Sequence, residues 1–406
     1  MKKILLLLAV FLLAFFLRAA FLRIWYGTGQ GGRLSGDAHG YLTLAENINE
    51  GKGFQLEGAP TARRPPIYPL LIAFLLKYSP FPQGVQLLQV LIGAMSCVVL
   101  FGLGKEMFGE GTGGWAAGIM AVDYLSIRQT VSVMPETLFV FFLLVSFYCL
   151  WRAWGEGKTG WVMAGGLAAG LSLLTKDVLI FFYPAMALWF LFWKQPWKIR
   201  LVRAGAFFFS LLLVIVPWIV RNNRYYHYPV LITAGSGYTL YLANNPSVRV
   251  GKTGGDWELG IDTDLPRTVP LPDLGGKMTE WEWEERYFRN QALDFIKNEP
   301  VQFIKLMGKK IVNMWRPFQT DSPLAAQWAS AAAYLPVLFL GLGGMAASLK
   351  RWREFFPVFL LCVYLFLLHA VLIGHIRYRY PLMPFFMIFA AFAMFELRKK
   401  SPSLKS

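Results

Sequence analysis

Cysteine is rare in this chain, and several widespread catalytic motifs are missing. The three cysteines, Cys97, Cys149 and Cys362, all lie inside apolar runs, which identifies them as small core residues rather than disulfide partners or metal ligands. The sequence has no Walker loop, no HExxH motif and no GxSxG motif, so it lacks these signatures of nucleotide binding, zinc-dependent proteolysis and acyl transfer. No repeat of about 20 to 50 residues occurs, which argues against a repeat array.

Charge is also scarce, and long hydrophobic runs take its place. Charged residues make up 16% of the 406 positions, hydrophobic residues make up 56%, and the mean hydropathy is +0.44. Runs of about 18 or more apolar residues recur along the chain, and each is long enough to cross a bilayer as a helix. No segment alternates with the period of an outer-membrane barrel strand. The sequence therefore predicts an all-α, polytopic membrane protein.

Acidic residues are outnumbered by basic ones, 24 to 40, which gives a formal net charge of +16. In a polytopic protein this excess is typical of lysines and arginines retained beside anionic headgroups, so we expect membrane lipids as partners. No basic cluster lies in a soluble segment among interleaved stacking residues. A nucleic-acid partner is therefore not expected.

The apolar runs predict about ten to eleven transmembrane helices with both termini in the cytoplasm. The basic N-terminus, the basic segments 194–203 and 350–353 and the basic tail mark the cytoplasmic side. We expect an inner or plasma membrane of bacterial type. The predicted apolar segments are residues 4–26, 67–81 (partial or re-entrant), 85–108, 114–126, 137–154, 161–175, 178–193, 207–220, 326–349, 355–373 and 381–395.

The order of apolar and polar segments predicts three parts. Residues 1–220 form an N-terminal transmembrane module whose first external loop spans about 27–83. Residues 221–325 form one long extracytoplasmic region with amphipathic helices that lie in the headgroup layer. Residues 326–406 form a C-terminal transmembrane module with the basic tail.

The first external loop combines a carboxylate with two arginines. Ser35 is predicted to cap a short helix that carries Asp37 in its first turn, and Tyr41 lies on the same helix face. Arg63 and Arg64 come directly before a Pro-Pro pair that stiffens the backbone. One loop thus offers a group that can accept a proton and two cations that can hold a phosphate.

The predicted topology brings charged residues from several loops to one face of the membrane. A random distribution over independent loops would seldom collect them on one side, so this face is the predicted site. The residues concerned are Asp37, Arg63, Arg64, Glu136, Lys176 and the segment 375–379.

The motifs and their order resemble the GT-C membrane glycosyltransferases. The resemblance is carried by Asp37 with Tyr41, by TARRPPIYP at 61–69, by Glu136 between Pro135 and Thr137, by Lys176 at the end of a span, and by HIRYRYPLMPFF at 375–386. The branch most similar to it contains the protein O-mannosyltransferases and the aminoarabinose (lipid A) transferases, glycosyltransferase families 39 and 83. The resemblance covers most of the chain.

The resemblance implies a GT-C fold and the transfer of a sugar from a polyprenyl-phosphate donor. The acceptor would be a hydroxyl of a lipid, a glycan or a protein of the cell envelope, on the extracytoplasmic face, with inversion at the anomeric carbon. Asp37 matches the position of the general base, and Glu136 would orient the acceptor or assist it. The implied donor-phosphate ligands are Lys176, Arg63, Arg64, Arg377 and Arg379, and the implied pocket residues are Tyr41, Tyr68, His39 and Tyr378.

The same residues also admit structural roles. Asp37 would be favoured at a helix N-terminus by the dipole alone, and the arginines would serve as headgroup anchors. Lys176 would reach from the end of its span to the interface. For Glu136 the alternative is a structural salt bridge, with Arg128 as its candidate partner. No cluster of metal ligands is evident in the sequence. A divalent metal ion stays open as a cofactor because members of the similar families differ in metal dependence.

Two other classes of function remain as alternatives. One is a transporter or flippase of lipid-linked sugars, and the other is an oligosaccharide polymerase or ligase. Transporters tend to have internal repeats and ionisable groups at the middle of the membrane. Here no repeat is visible and the charges collect at one face, which favours the transferase.

Overall fold

The computed structural model describes residues 2–400, except residues 30, 32–33, 35, 80, 227, 251–260, 263–279 and 319–323. These residues form α-helices joined by short loops, with very little strand. The helices are α1 (Lys2–Gly27), α2 (Gly36–Asn49), α3 (Ile67–Leu76), α4 (Gln83–Phe108), α5 (Glu110–Val122), α6 (Tyr124–Val131), α7 (Glu136–Glu156), α8 (Thr159–Thr175), α9 (Phe182–Met186), α10 (Trp197–Asn222), α11 (Ser236–Ala243), α12 (Glu280–Asn298), α13 (Pro300–Trp315), α14 (Leu324–Ala347), α15 (Trp352–Val371) and α16 (Met383–Lys400).

Short 3-10 helices and two antiparallel strand pairs complete the described structure. The 3-10 helices are Asp177–Leu179, Ala187–Phe192, Leu349–Arg351 and Ile376–Arg379. In the first pair, β1 (Gln55–Leu56) meets β2 (Ala59–Pro60), and in the second, β3 (Arg249–Val250) meets β4 (Ile261–Asp262).

Six of the described helices are long and apolar enough to cross a membrane: α1, α4, α7, α10, α14 and the stretch Leu349–Val371. Four shorter apolar helical stretches lie at Ile67–Leu76, Thr159–Thr175, Phe182–Phe192 and Met383–Leu397. The predicted class, an all-α multi-pass membrane protein, is confirmed. The number of spans stays a prediction, since the short stretches need neighbours or tilt to reach across.

Two predicted helices are interrupted in the structure. Residues 178–193 were expected as one span, but they form two 3-10 turns with the five-residue α9 between them. Pro184 lacks an amide hydrogen for the helix ladder, and the buried rings of Tyr183 and Trp189 are held by Ser172 and by the carbonyl of Arg353. Residues 114–126 are divided between α5 and α6 by Asp123, which is extended and caps α6.

Close helix contacts in the membrane core depend on small residues. At Gly166 on α8, a Cβ atom would collide with the Ser210 hydroxyl and the Phe207 carbonyl of α10. At Gly344 on α14, it would collide with the Phe389 carbonyl of α16. Glycine lets these backbones approach closely, which is the usual basis of helix association in a membrane.

The region between α10 and α14 packs on the apolar helices through α13. One face of this helix is buried, and it consists of Leu306, Lys310, Asn313 and Met314. Another face exposes Val301, Ile304 and Val312 next to the exposed Lys305 and Lys309. An exposed apolar stripe flanked by lysines is typical of a helix in the headgroup layer.

Candidate active site

Asp37 lies in the first turn of α2 and contacts two cations. Its Oδ1 accepts a hydrogen bond from Arg64 Nη2 at 2.5 Å, and its Oδ2 lies 3.4 Å from Arg377 Nη2. The side chain is 23% exposed. The carboxylate is therefore partly exposed at the protein surface, and each of its oxygens faces a guanidinium group. Ser35, the predicted cap of this helix, lies outside the described residues.

The charges around Asp37 determine its protonation. Burial raises the pKa of Asp37, but Arg64, Arg377 and Lys176 together outweigh that effect, so the pKa lies below the ordinary value of 3.8. The carboxylate is therefore ionised at neutral pH. Only the ionised form can accept a proton from a nucleophile.

Glu136 provides a second carboxylate at the first residue of α7. Its side chain is 2% exposed, and Oε1 accepts a hydrogen bond from Lys176 Nζ at 2.8 Å and lies 3.9 Å from Arg377 Nε. Arg128, the partner suggested by the sequence, is not among its described contacts. Oε2 is buried and has no hydrogen-bond partner within the described part of the chain. Such an oxygen can accept a hydrogen bond from a bound hydroxyl.

Arg377 links the two carboxylates. It lies in the 3-10 helix Ile376–Arg379 and its side chain is 12% exposed. Its Nη2 faces Asp37 and its Nε faces Glu136. Its Nη2 also donates a hydrogen bond to the Tyr378 hydroxyl at 2.9 Å. Burial lowers the pKa of Arg377, but Tyr378 and the two carboxylates outweigh that effect and raise it above its ordinary value. The guanidinium group therefore remains charged.

Lys176 enters the site where α8 ends. Its backbone is extended, with φ −154° and ψ 120°, so the chain leaves the helix at this residue. The side chain is 20% exposed, and Nζ lies 5.0 Å from the centroid of the Tyr378 ring. That ring stacks on the buried His369 at 4.6 Å.

Tyr41 and Tyr68 form one wall of the site. Both are buried, and their rings meet edge to face at 5.0 Å. The Arg64 guanidinium lies 5.1 Å from the centre of the Tyr41 ring. The Tyr68 hydroxyl donates to Gln89 Oε1 at 2.7 Å, so this tyrosine is held from behind by α4.

Three residues predicted for the site lie apart from this cluster. Arg63 contacts Glu57 at 3.1 Å and stacks on Trp281 of α12 at 4.0 Å. Arg379 is buried and donates to the carbonyls of Met314, at 3.2 Å, and Arg316. Its guanidinium stacks on Tyr334 at 3.7 Å. His39 is exposed on the opposite side of α2 from Ala38 and Tyr41.

One contributor was missed by sequence reasoning. Arg221, in the last turn of α10, donates to the carbonyls of Thr61 at 2.6 Å and Phe54 at 2.7 Å. The amide of Ala62 donates to the Tyr226 hydroxyl at 2.9 Å. The loop that carries Arg64 is thus held from the end of a transmembrane helix. An arginine at the end of a span is usually attributed to the headgroups, so no sequence feature distinguished Arg221 from such an anchor.

The cluster carries one net positive charge. Three cations, Arg64, Lys176 and Arg377, face two carboxylates, Asp37 and Glu136. The five residues come from α2, the loop before α3, α7, the end of α8 and a 3-10 helix near the C-terminus. A phosphodiester with one negative charge would make this set neutral. Among the described residues, no group of three or more His, Cys, Asp or Glu side chains is arranged to hold a metal ion.

The fold resembles those of solved membrane transferases. The oligosaccharyltransferase of Archaeoglobus fulgidus matches with a TM-score of 0.61 at 14% identity, over 98% of this chain and 51% of that one. ArnT from Cupriavidus metallidurans, solved with undecaprenyl phosphate bound, matches with a TM-score of 0.58 at 13% identity, over 98% of this chain and 61% of that one. The chain is therefore a multi-pass membrane protein with the GT-C fold, as the sequence predicted.

The sequence comparisons agree with the fold. Residues 63–220 match the family model of the dolichyl-phosphate-mannose-protein mannosyltransferases. A curated relative, the undecaprenyl phosphate-alpha-4-amino-4-deoxy-L-arabinose arabinosyl transferase of Pseudomonas aeruginosa (strain UCBPP-PA14), is 26% identical over 142 residues. That alignment spans 33% of this chain and about a quarter of the relative, 26%. The fold is thus the GT-C fold, and a segment of the chain is similar in sequence to these sugar transferases.

Proposed function

We propose that this protein is a glycosyltransferase that moves a sugar from a polyprenyl-phosphate donor to an acceptor hydroxyl. The single observation that carries the proposal is the cluster of one accessible carboxylate, Asp37, with three cations at Arg64, Lys176 and Arg377. Three further features of the chain support the same reaction. They are the order of its motifs, its fold, and its match to a family named for a dolichyl-phosphate-linked sugar.

In the proposed reaction, Asp37 acts as the general base. The acceptor oxygen attacks the anomeric carbon, its proton passes to the Asp37 carboxylate, and the bond between the anomeric carbon and the phosphate oxygen breaks. The bonding electrons leave with the polyprenyl phosphate. Attack from the side opposite the leaving group inverts the configuration. The unpaired Oε2 of Glu136 would accept a hydrogen bond from the acceptor and orient it.

The three cations would stabilise the leaving phosphate. Negative charge grows on the phosphate oxygens as the bond breaks, so fixed cations lower the energy of the transition state more than that of the bound donor. Arg64 and Arg377 suit a bidentate contact with phosphate oxygens, and Lys176 supplies a point charge. Donor binding would also draw both guanidinium groups away from Asp37, which would raise its basicity when a substrate is present.

The proposed orientation places the site on the extracytoplasmic face. The basic segments at 194–203 and 350–353 support a cytoplasmic side opposite the cluster. In this orientation the N- and C-termini are cytoplasmic and the region 221–325 lies outside. A donor sugar flipped to the outer leaflet would then meet its acceptor in the cell envelope.

A donor panel tests the proposal. Purified protein in detergent or nanodiscs is incubated with polyprenyl phosphates that carry different sugars, together with lipid, glycan and peptide acceptors, and release of free polyprenyl phosphate is followed. At least one donor should be consumed in a time- and enzyme-dependent manner, with the sugar recovered on an acceptor. Tight donor binding without any consumption across the panel would instead favour a flippase. Consumption of pyrophosphate-linked oligosaccharides alone would favour a polymerase or ligase.

A further inference from the structure

Lys310 is a fully buried lysine outside the charged cluster. It lies on α13 in the external region and is 0% exposed. Its Nζ donates to Asn244 Oδ1 at 2.8 Å and to the Val371 carbonyl at 2.9 Å. Asn244 in turn donates to the same Val371 carbonyl at 2.9 Å. Lys310 therefore ties α13 and the end of α11 to the last residue of α15.

The chain directly after α15 is held by the same face of α13. Asn313, one turn further along α13, donates to the Gly374 carbonyl at 2.7 Å. Gly374 packs so closely on α13 that a Cβ atom there would collide with the Lys310 carbonyl. Residues 371–374 are thus fixed by two side chains and by a backbone approach that only glycine allows.

The chain that continues from residue 374 to residue 379 is also attached to α13 at its other end. Arg379 donates to the carbonyls of Met314 and Arg316 where α13 ends. Arg377, which contacts both Asp37 and Glu136, therefore lies between two attachments to one helix. Small movements of α13 relative to α15 would be transmitted to its guanidinium group.

Packing alone does not explain a lysine at position 310. Among the described residues, no carboxylate lies within ion-pair distance of its Nζ, and burial lowers its pKa to about 7. Burial of an amine is costly unless its hydrogen bonds are satisfied. An apolar residue of similar length, such as methionine, would fill the space without that cost. The two hydrogen bonds are the feature that only a donor can supply.

We propose that Lys310 is a positioning residue that fixes residues 371–374 and thereby holds Arg377 against the two carboxylates. The effect on catalysis rests on the proposed function, whereas the fixing of the segment does not. The external region would then complete the active site by placing one of its cations.

Hydrogen exchange tests the fixing of the segment without any assay of activity. In Lys310→Met, amides of residues 372–380 should exchange about tenfold faster, the change expected on losing the two hydrogen bonds of a buried amine. Lys309→Met is the matched control, because Lys309 is the exposed neighbour on the same helix, and it should exchange like the wild type. Unchanged exchange in folded Lys310→Met would overturn the proposal.

A milder variant covers the case in which Lys310→Met does not fold. Asn313→Ala removes the hydrogen bond to the Gly374 carbonyl and keeps Lys310 in place. It should accelerate exchange in the same residues, and by less. If Lys310→Met is unfolded and Asn313→Ala exchanges like the wild type, the proposal is also overturned.

A double-mutant cycle tests whether Lys310 acts through Arg377. On a donor that the wild type consumes, Lys310→Met should lower kcat about 10- to 100-fold, the range typical of a misplaced catalytic group. In an Arg377→Gln background it should have little further effect, because the group it positions is gone. Full additivity of the two losses would contradict the proposed role. Failure of the wild type to consume any donor would refute the proposed function and leave the exchange result intact.

Discussion

Arg377 is the residue on which the geometry of the cluster depends most. Its guanidinium group lies within ion-pair distance of both carboxylates, at 3.4 Å from Asp37 Oδ2 and at 3.9 Å from Glu136 Oε1. Lys176 contacts Glu136, and Arg64 contacts Asp37. Two carboxylates in one partly buried site would repel each other, and a cation shared between them removes that penalty.

The pairing of Asp37 with Arg64 predicts a shift in the pH dependence of activity. The carboxylate must be ionised to act as a base, and Arg64 is the strongest of the cations that keep its pKa low. In Arg64→Gln the pKa should rise, so the acidic limb of the pH–rate profile should move to higher pH. Arg63→Gln is the matched control, because Arg63 contacts Glu57 and Trp281 instead. Equal shifts in both variants would contradict the assignment.

The same pairing predicts how stability depends on pH. The pKa of Asp37 is lower in the folded protein than in the unfolded chain, so the ionised pairing stabilises the fold above the ordinary value of 3.8. This stabilisation is lost as the pH falls through the lowered pKa. Thermal unfolding followed from neutral to acidic pH should show the loss in the wild type, and a smaller one in Arg64→Gln. An identical acid dependence of Tm in the two proteins would count against the pairing.

Lys176 should matter more for phosphate binding than an exposed lysine. Removing a charged hydrogen-bond donor from a partly buried site costs about 1.5 to 3 kcal/mol, which is about 10- to 150-fold in affinity. Lys176→Met should weaken binding of a polyprenyl phosphate by this factor in a thermal-shift titration. Lys158→Met removes the same charge from a lysine whose side chain is 72% exposed, and it should bind like the wild type. Unchanged binding in Lys176→Met would remove Lys176 from the phosphate site.

Residue type and position along the chain identified every charged side chain of the cluster as a candidate. They did not show which of the other candidates point away from it. Asp37, Glu136, Arg64, Lys176 and Arg377 were all candidates from sequence. The adjacent arginines 63 and 64 were indistinguishable, because the partner of Arg63, Trp281, lies far away in the chain. Arg379 is two residues from Arg377 and faces carbonyls of α13 instead.

At the scale of single elements, the loop before α3 depends on its attachment to α10. Hydrogen bonds from Arg221 to the Thr61 and Phe54 carbonyls fix the segment that presents Arg64. Helices of span length were predictable because hydrophobic length is a strong signal. The breaks at Asp123 and within residues 177–193 were not, because they depend on buried contacts between distant residues.

Arg221→Gln should destabilise this loop and reduce activity together. It removes two charge-assisted hydrogen bonds to carbonyls, and a loss of this kind costs about 2 to 3 kcal/mol. Limited proteolysis should cut between Phe54 and Arg64 faster than in the wild type, with a lower transfer rate. Arg224→Gln serves as the control, since Arg224 is exposed three residues further on. Wild-type proteolysis and activity in Arg221→Gln would refute this role.

At the scale of the whole molecule, the proposed orientation has a direct consequence for labelling. Lys52 lies between α2 and α3, Lys158 lies between α7 and α8, and both are exposed. In intact cells, a membrane-impermeant maleimide should label Lys52→Cys but not Lys158→Cys, which should react only after permeabilisation. The three native cysteines lie in apolar runs, two of them buried, so they should react little. The reverse pattern would place the cluster on the cytoplasmic face.

The most direct test of the central claim is the turnover of Asp37→Asn beside that of Asp294→Asn. Asp294 is an exposed aspartate on α12, so its variant makes the same chemical change away from the cluster. With a donor that the wild type consumes, Asp37→Asn should lose transfer by about 100- to 10,000-fold, the usual contribution of a general base. Its binding of polyprenyl phosphate should persist or tighten, because Arg64 and Arg377 lose a competing anion, and Asp294→Asn should match the wild type. Transfer retained in Asp37→Asn would contradict the account.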